Sequence, residues 1–470
     1  MLPDPPSPNT ALALVHEGWN EVRLRRPLAA WAAWQRALRV KPGDPAATEA
    51  ITILEGAEEL PLAARKVYRF RSPTDLAQRA RWDVAFGDRD MQDLAIAAET
   101  FAELADFDSL GGDPQARYNQ ALCLAWQGKN PEAIRALDQY VHIAAETDFE
   151  AAVDAWTLAE ILRQGAGAEI LADDFDGVGL MPWPPERGDP TSMDEPGHIL
   201  PHPTPNDPET GREPIHGPRI YEWLDRPLPE PRSDLSADDL PRILATIIQQ
   251  TGSGPPILRI STPDPNGRFE VEGRLARTIG EPTPALDWSY TPLPFPLLDV
   301  AAWRFRLPAG LEASARHRLT REAIERYYED HWIHLNRLGL GPFPERAGTD
   351  QEPARGTSPL EAGCQSIEGD RVAQAKLSAV IALREQLAER PPHAPLYAGY
   401  PFDRLRRRVG LAPFDPSTVD PNDPSCMSPA ELEALDPKGF DTLTRAEARR
   451  SALALRLVAI AARFADEATA

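Results

Sequence analysis

The residues most able to do chemistry in this 470-residue chain are its nine histidines, three cysteines and one dense aspartate run. His198, His202 and His216 fall in one stretch, and His331 and His334 lie three apart beside Glu329 and Asp330. Two helical histidines with a third ligand can hold zinc. The order His331-Trp332-Ile333-His334 lacks the glutamate that a metalloprotease helix places after its first histidine, which favours a structural or exposed role. Asp173, Asp174 and Asp176 before Gly177 suggest a calcium loop. With Gly177 in the sixth place, Ala172 would be the first ligand and Trp183 the last, where a carboxylate is required. The run therefore reads as a polar turn. Gly252 and Gly254 precede a strand-like run, so their N–H groups do not open a helix toward a phosphate. No Gly-x-Ser-x-Gly elbow occurs, and Cys364 has no activating histidine near it in sequence. No catalytic residue, metal set or cofactor is predicted. An enzyme or metal protein with its site in residues 180–340 stays open as the alternative.

Composition narrows the partners. A formal charge of −22 disfavours nonspecific nucleic-acid binding, which needs Lys and Arg to neutralise phosphates. Arg404, Arg406, Arg407 and Arg408 form a local basic run, read as a solvated helix face. Three widely spaced cysteines give no disulfide framework, and no run of about eighteen apolar residues occurs, so a cytoplasmic chain without a membrane span is expected. The first residues, Pro-rich with no basic leader, are not read as a signal peptide. The 50 prolines are sparse early and dense from Pro182 to Pro308, so the middle is not mostly helix.

The elements that would position any site begin with a repeat. Pro27-Leu28-Ala29-Ala30 recurs as Pro61-Leu62-Ala63-Ala64, and the second alanine continues at Ala97 and Ala133, in steps of 34, 33 and 36. Four residues beyond each anchor stands a bulky residue: Trp34, Tyr68, Phe101 and Leu137. Small residues that let helices approach, followed one turn later by large ones, mark stacked helix pairs. With Gly18, Ala37 and Pro42 in copy one, and Ala121 and Gly128 in copy four, the stretch resembles the tetratricopeptide repeat family. Copy two departs from it, with Thr52 at a small position and Arg71 at the third position of its second helix. Copy three lacks the turn glycine, and a fifth first helix is expected over Ala151–Gln164.

The resemblance implies a concave surface, lined by the first helix of each pair, that holds an extended peptide or a helix of a protein partner. Carried over by position, that surface comprises Arg79, Asp83, Phe86, Gln115, Asn119, Leu122, Trp126, Trp156 and Arg163. Asn119 falls where the family often keeps an asparagine that bonds a ligand backbone. The competing reading is that Phe86, Trp126 and Trp156 pack between neighbouring helices. In a third arrangement the later part of the chain docks on the repeats and leaves no free groove.

The rest divides into a Pro-rich linker at 171–219, a small α+β unit at 220–310 and a helical unit at 311–470, after a disordered tail at 1–9 and repeats at 10–170. Ser236 and Asp239 predict a capping box opening a helix through Leu240–Gln250. ILRIST, RFEVEGRLARTI and AAWRFRL read as antiparallel strands, with PDPNG (263–267) as a hairpin turn. Helices are expected over Thr320–Asn336, Ser358–Gly363, Arg371–Glu389, Tyr400–Val409, Ser428–Leu435 and Thr444–Asp466. The fold class is mainly α: a repeat solenoid, a linker, a small sheet and a helical end. The function expected is noncatalytic protein–protein interaction, an adaptor or scaffold capturing a partner segment in the groove. Nothing in the sequence specifies an oligomeric state.

Overall fold

The computed structural model describes residues 10–73, 94–106, 113–166, 175–183, 186, 188–202, 219–250, 257–262, 265–279, 287–293, 300–341, 356–391 and 394–413. The expected tail, the helices at 428–435 and 444–466, Cys426 and His216 lie outside them.

Capping chemistry sets where the first helices start. Thr10 accepts from the Ala13 N–H to open α1 (Ala11–Arg23). Asp44 does the same for α3 (Pro45–Glu55), Asp113 for α6 (Pro114–Trp126) and Asp148 for α8 (Phe149–Arg163). Proline occupies the first turn of α2 (Pro27–Val40), α3, α6 and α7 (Asn130–Thr147), where a missing N–H costs nothing. Between them lie α4 (Leu62–Arg65) and α5 (Leu94–Ala105). Helix α1 packs on α2, and α5 through α8 pack each on the next. The anchors Ala30, Ala64, Ala97 and Ala133 are buried, and so are Trp34, Tyr68, Phe101 and Leu137. Gly18 is required by close approach: a Cβ there would stand 2.1 Å from the Trp34 indole nitrogen. Gly128 turns the chain from α6 into α7 at a φ of 73°.

These contacts are not only between neighbours. Helix α2 packs on α6, and the Arg26 guanidinium donates to the Gly165 carbonyl at 2.8 Å beyond the end of α8. A stack of repeats touches only successive units. Here α4, expected as a full second helix, stops after four residues.

The middle of the chain is one antiparallel sheet of six strands in the order β2-β3-β4-β5-β1-β6. The strands are β1 (Phe175–Pro182), β2 (Ile199–Pro201), β3 (Arg219–Leu224), β4 (Ile243–Gln250), β5 (Ile257–Thr262) and β6 (Asp287–Pro292). The Pro-rich stretch thus supplies β1 and β2, and Met181 and Trp183 are buried in the sheet's core while Leu180 is exposed. Of the three strands read from the sequence, ILRIST stands where expected, as β5.

Three local expectations give way. The capping box at Ser236 and Asp239 forms, but it closes a single 3-10 turn (Ala237–Asp239), and Leu240–Gln250 runs into β4. Pro241 and the β-branched Ile243, Thr246, Ile247 and Ile248 favour the sheet. RFEVEGRLARTI is not a strand but most of helix α9 (Pro265–Ile279), so Asn266 and Gly267 enter a helix rather than a hairpin turn. Val271 and Leu275, four apart, are fully buried, and Arg268–Glu272 and Glu270–Arg274 pair at 3.1 Å along the helix. AAWRFRL forms a 3-10 turn (Val300–Trp303) and one bridge, Arg242 to Phe305.

The helical C-terminal region contains α10 (Ala313–Arg326), α11 (Pro359–Ile367), α12 (Arg371–Ala388) and α13 (Phe402–Arg408). The helix expected over 320–336 starts earlier and loosens into a π turn (Tyr327–His331) and a 3-10 turn (Trp332–His334). Helix α12 packs on α7 and α8, and one continuous apolar core joins the N-terminal and C-terminal helices. The basic run is not a solvated face. Arg406 and Arg408 are buried; Arg408 pairs with Glu329 at 2.8 Å and Asp330 at 3.2 Å, and Arg406 pairs with Asp403 and Glu385. Among the described residues, no helix is long and apolar enough to cross a membrane.

Candidate functional site

Helix α6 carries four of the groove positions, Gln115, Asn119, Leu122 and Trp126, in steps of four, three and four that keep them on one stripe. Asn119 has no solvent exposure, and its amide is spent on one backbone residue. Its Oδ1 accepts the Arg71 N–H at 2.8 Å, and its Nδ2 donates to the Arg71 carbonyl at 2.9 Å. The two bonds are consistent with a single orientation of the amide.

The segment so held, residues 66–73, is neither helix nor strand. Its side chains fill the space around Asn119. The Phe70 ring sits 5.3 Å from Phe101 on α5 and 5.1 Å from Trp126, and Trp126 in turn meets Trp31 of α2 at 6.2 Å. The Arg71 guanidinium lies 3.8 Å over the Tyr118 ring and 5.0 Å from that of Tyr140, and bonds the Tyr140 hydroxyl. Gln115 also lies beside Tyr140. Tyr68 is buried and its hydroxyl donates to the Ala63 carbonyl at 2.8 Å. Burial pushes the Tyr118 hydroxyl up to about 12, although Arg71 pulls the other way, and burial raises Tyr140 as well.

The extended backbone here has its cause in the side chains. Tyr68 and Phe70 are two apart, so on a helix they would point about 200° apart, whereas on an extended chain they share a face. Burying both rings in the one core therefore requires the helix to stop. Val67 and Arg69, the alternate positions, are exposed. The sequence Lys66-Val67-Tyr68-Arg69-Phe70-Arg71 carries that alternation openly, and the repeat anchors at Ala64 and Tyr68 mask it.

The other two groove positions on described residues lie at α8, against the C-terminal helices. The Trp156 indole N–H donates to the Gly339 carbonyl at 2.9 Å, and the Lys376 ammonium of α12 stands 4.2 Å over its ring. Lys376 is buried and pairs with Asp138 at 2.6 Å; burial lowers its pKa against that pull. Arg163 is buried, bonded to Glu160 at 2.7 Å and 5.3 Å from the Trp156 ring. Leu122 is fully buried. Thus Asn119 and Trp126 gather around residues 66–73, and Trp156 and Arg163 around α12 and Gly339. Arg79, Asp83 and Phe86 lie outside the described residues. Sequence reasoning did not single out Phe70, Tyr118 and Tyr140 beside Asn119, or Lys376 beside Trp156.

Elsewhere, His202 meets Glu222 at 2.7 Å and His198 lies 3.8 Å from Asp194. Among the described residues, no three His, Cys, Asp or Glu side chains converge as a metal site. Comparison of the chain with protein-family models, with curated proteins and with solved structures gives no match.

Proposed function

We propose that this chain is a noncatalytic interaction protein of the adaptor or scaffold type, in which tetratricopeptide-like helix pairs hold an extended segment of a protein partner. The observation that carries the reading is Asn119, whose amide bonds both the N–H and the carbonyl of one residue on an extended backbone. Such a pair of bonds takes any residue except proline, so it gives affinity without fixing a side chain. The flanking rings of Phe101, Trp126, Tyr118 and Tyr140 then supply selection, as aromatic anchors do at interface hot spots. The burial of all four anchor alanines and their bulky partners supports the repeat reading.

The test is affinity capture from native cell extract with the full chain and with an Asn119→Ala/Trp126→Ala variant shown by circular dichroism to be folded. Loss of the specific partners in the variant is expected. Retention of every specific partner would overturn the groove as the binding surface.

A further inference from the structure

We propose that residues 66–73 are a built-in occupant of the groove, displaced by an extended partner segment in which an aromatic residue is followed directly by arginine. This rests on the groove reading above and adds the chemistry of the partner and the event that admits it.

Three observations point to an occupant rather than a structural strand. The segment stands where the second helix of a pair would be, yet only Leu62–Arg65 is helical. Among the described residues, no backbone–backbone hydrogen bond ties residues 67–73 to the rest of the fold. Their backbone anchorage comes from a side chain, Asn119, which any other extended chain could engage equally well. The remaining hold is by buried Tyr68, whose hydroxyl bonds the Ala63 carbonyl within its own arm, by Lys66 on Asp154 at 3.7 Å, and by two pincers, Phe101 with Trp126 for a ring and Tyr118 with Tyr140 for a guanidinium.

The pincers define what competes. An aromatic ring enters the first, and a planar cation enters the second by stacking on tyrosine faces, where lysine would fit less well. The backbone of that same arginine meets Asn119, which fixes the register of the dipeptide. A net charge of −22 steers a basic segment toward the chain, and the resident segment is itself basic, with Lys66, Arg69 and Arg71.

The experiment titrates a fluorescent peptide of sequence RKVYRFRSP, residues 65–73, into the full chain at fixed salt. Three proteins are compared: the native sequence, a Phe70→Ala/Arg71→Ala variant with a weakened occupant, and that variant with Asn119→Ala added. Circular dichroism and a thermal transition verify each fold, and Arg71→Ala alone replaces the double variant if that fails to fold. The weakened variant is expected to bind at least tenfold more tightly than the native chain, with Asn119→Ala erasing the gain. A peptide with alanine at the Phe and second Arg of its RFR core is expected not to compete. Equal binding by native and weakened chains, or equal binding of a scrambled peptide, would overturn the proposal. If the peptide fails while Asn119→Ala/Trp126→Ala still strips partners from cell extract, the built-in occupant is wrong and the groove reading survives. If both fail, both readings fall.

Discussion

Replacing Phe70 by alanine probes how the resident segment is held. A fully buried phenylalanine contributes up to about 3 kcal/mol, and this half-buried ring accounts for about half of that. Its contacts with Phe101 and Trp126 add about 0.5–1 kcal/mol each, for a total near ~3 kcal/mol. Asn119→Ala removes two backbone hydrogen bonds, at about 1 kcal/mol each. If the segment stayed in place, the Arg71 N–H and carbonyl would lose their partner and the cost would rise further. A segment that can lift away escapes that penalty, because water then satisfies both groups. The net docking free energy of residues 66–73, what remains after the cost of ordering the segment, caps the damage from either change, and with that net at about the 3 kcal/mol of the Phe70 ring the two cannot add. The pair should cost about 3 kcal/mol rather than ~5, a coupling of roughly 2 kcal/mol. Urea unfolding of the native chain, both single variants and the double variant measures this directly. Additivity within about 0.5 kcal/mol would refute the argument that one displaceable unit carries both interactions.

Two further expectations concern the tyrosine pincer and the C-terminal ion network. The Tyr118 hydroxyl titrates at about 12 in the folded chain and near 10 when unfolded, so above pH 10 the unfolded state releases its proton first. Stability is thus lost as pH rises from 10 to 12, by about 2–3 kcal/mol from this group, and Tyr118→Phe should remove that share of the slope in urea melts at pH 9.5 and 11.5. An unchanged slope would contradict it. Arg408→Met keeps the stem's volume but deprives buried Glu329 of one cation, leaving Arg404 at 2.8 Å, and should cost about 3 kcal/mol in a urea melt. A solvated arginine would cost less than about 0.5 kcal/mol, which is the result that would restore the surface reading.

Much of the helical framework was readable because its signals are local and redundant. Asp44 and Asp113 cap helices that open on proline, and the buried alanines recur in step with bulky residues four further on. Where two periodicities coexist, the sequence did not decide. Phe269, Val271 and Gly273 alternate with charges over five residues, but Val271 with Leu275 and the Glu270–Arg274 pair belong to a helix. At Ser236 the capping box is satisfied within one turn and carries no information about residues beyond Leu240, so the β-branched run after Pro241 went unread. Strands β1 and β2 were hidden by proline and glycine because their pairing is long-range: Gly177 meets Thr262, and Ile199 meets Trp223. Of the positions expected to line a groove, Asn119 and Trp126 lie together against residues 66–73. Phe70 and Arg71 were not among them, since their placement depends on a helix failing to form. Docking of the later chain was open only as one of three arrangements, and the particular contacts on Trp156, from the Gly339 carbonyl and from Lys376 of α12, join residues more than 180 apart.

Native-state hydrogen exchange on the full chain tests the central claim most directly. If residues 66–73 occupy the groove as a releasable segment, the Arg71 amide exchanges through an opening that leaves α6 and α7 protected, and excess RKVYRFRSP peptide does not slow it. Exchange of Arg71 only through global unfolding, at the same rate as the most protected amides of α6 and α7, would show the segment to be an integral part of the core and contradict the account.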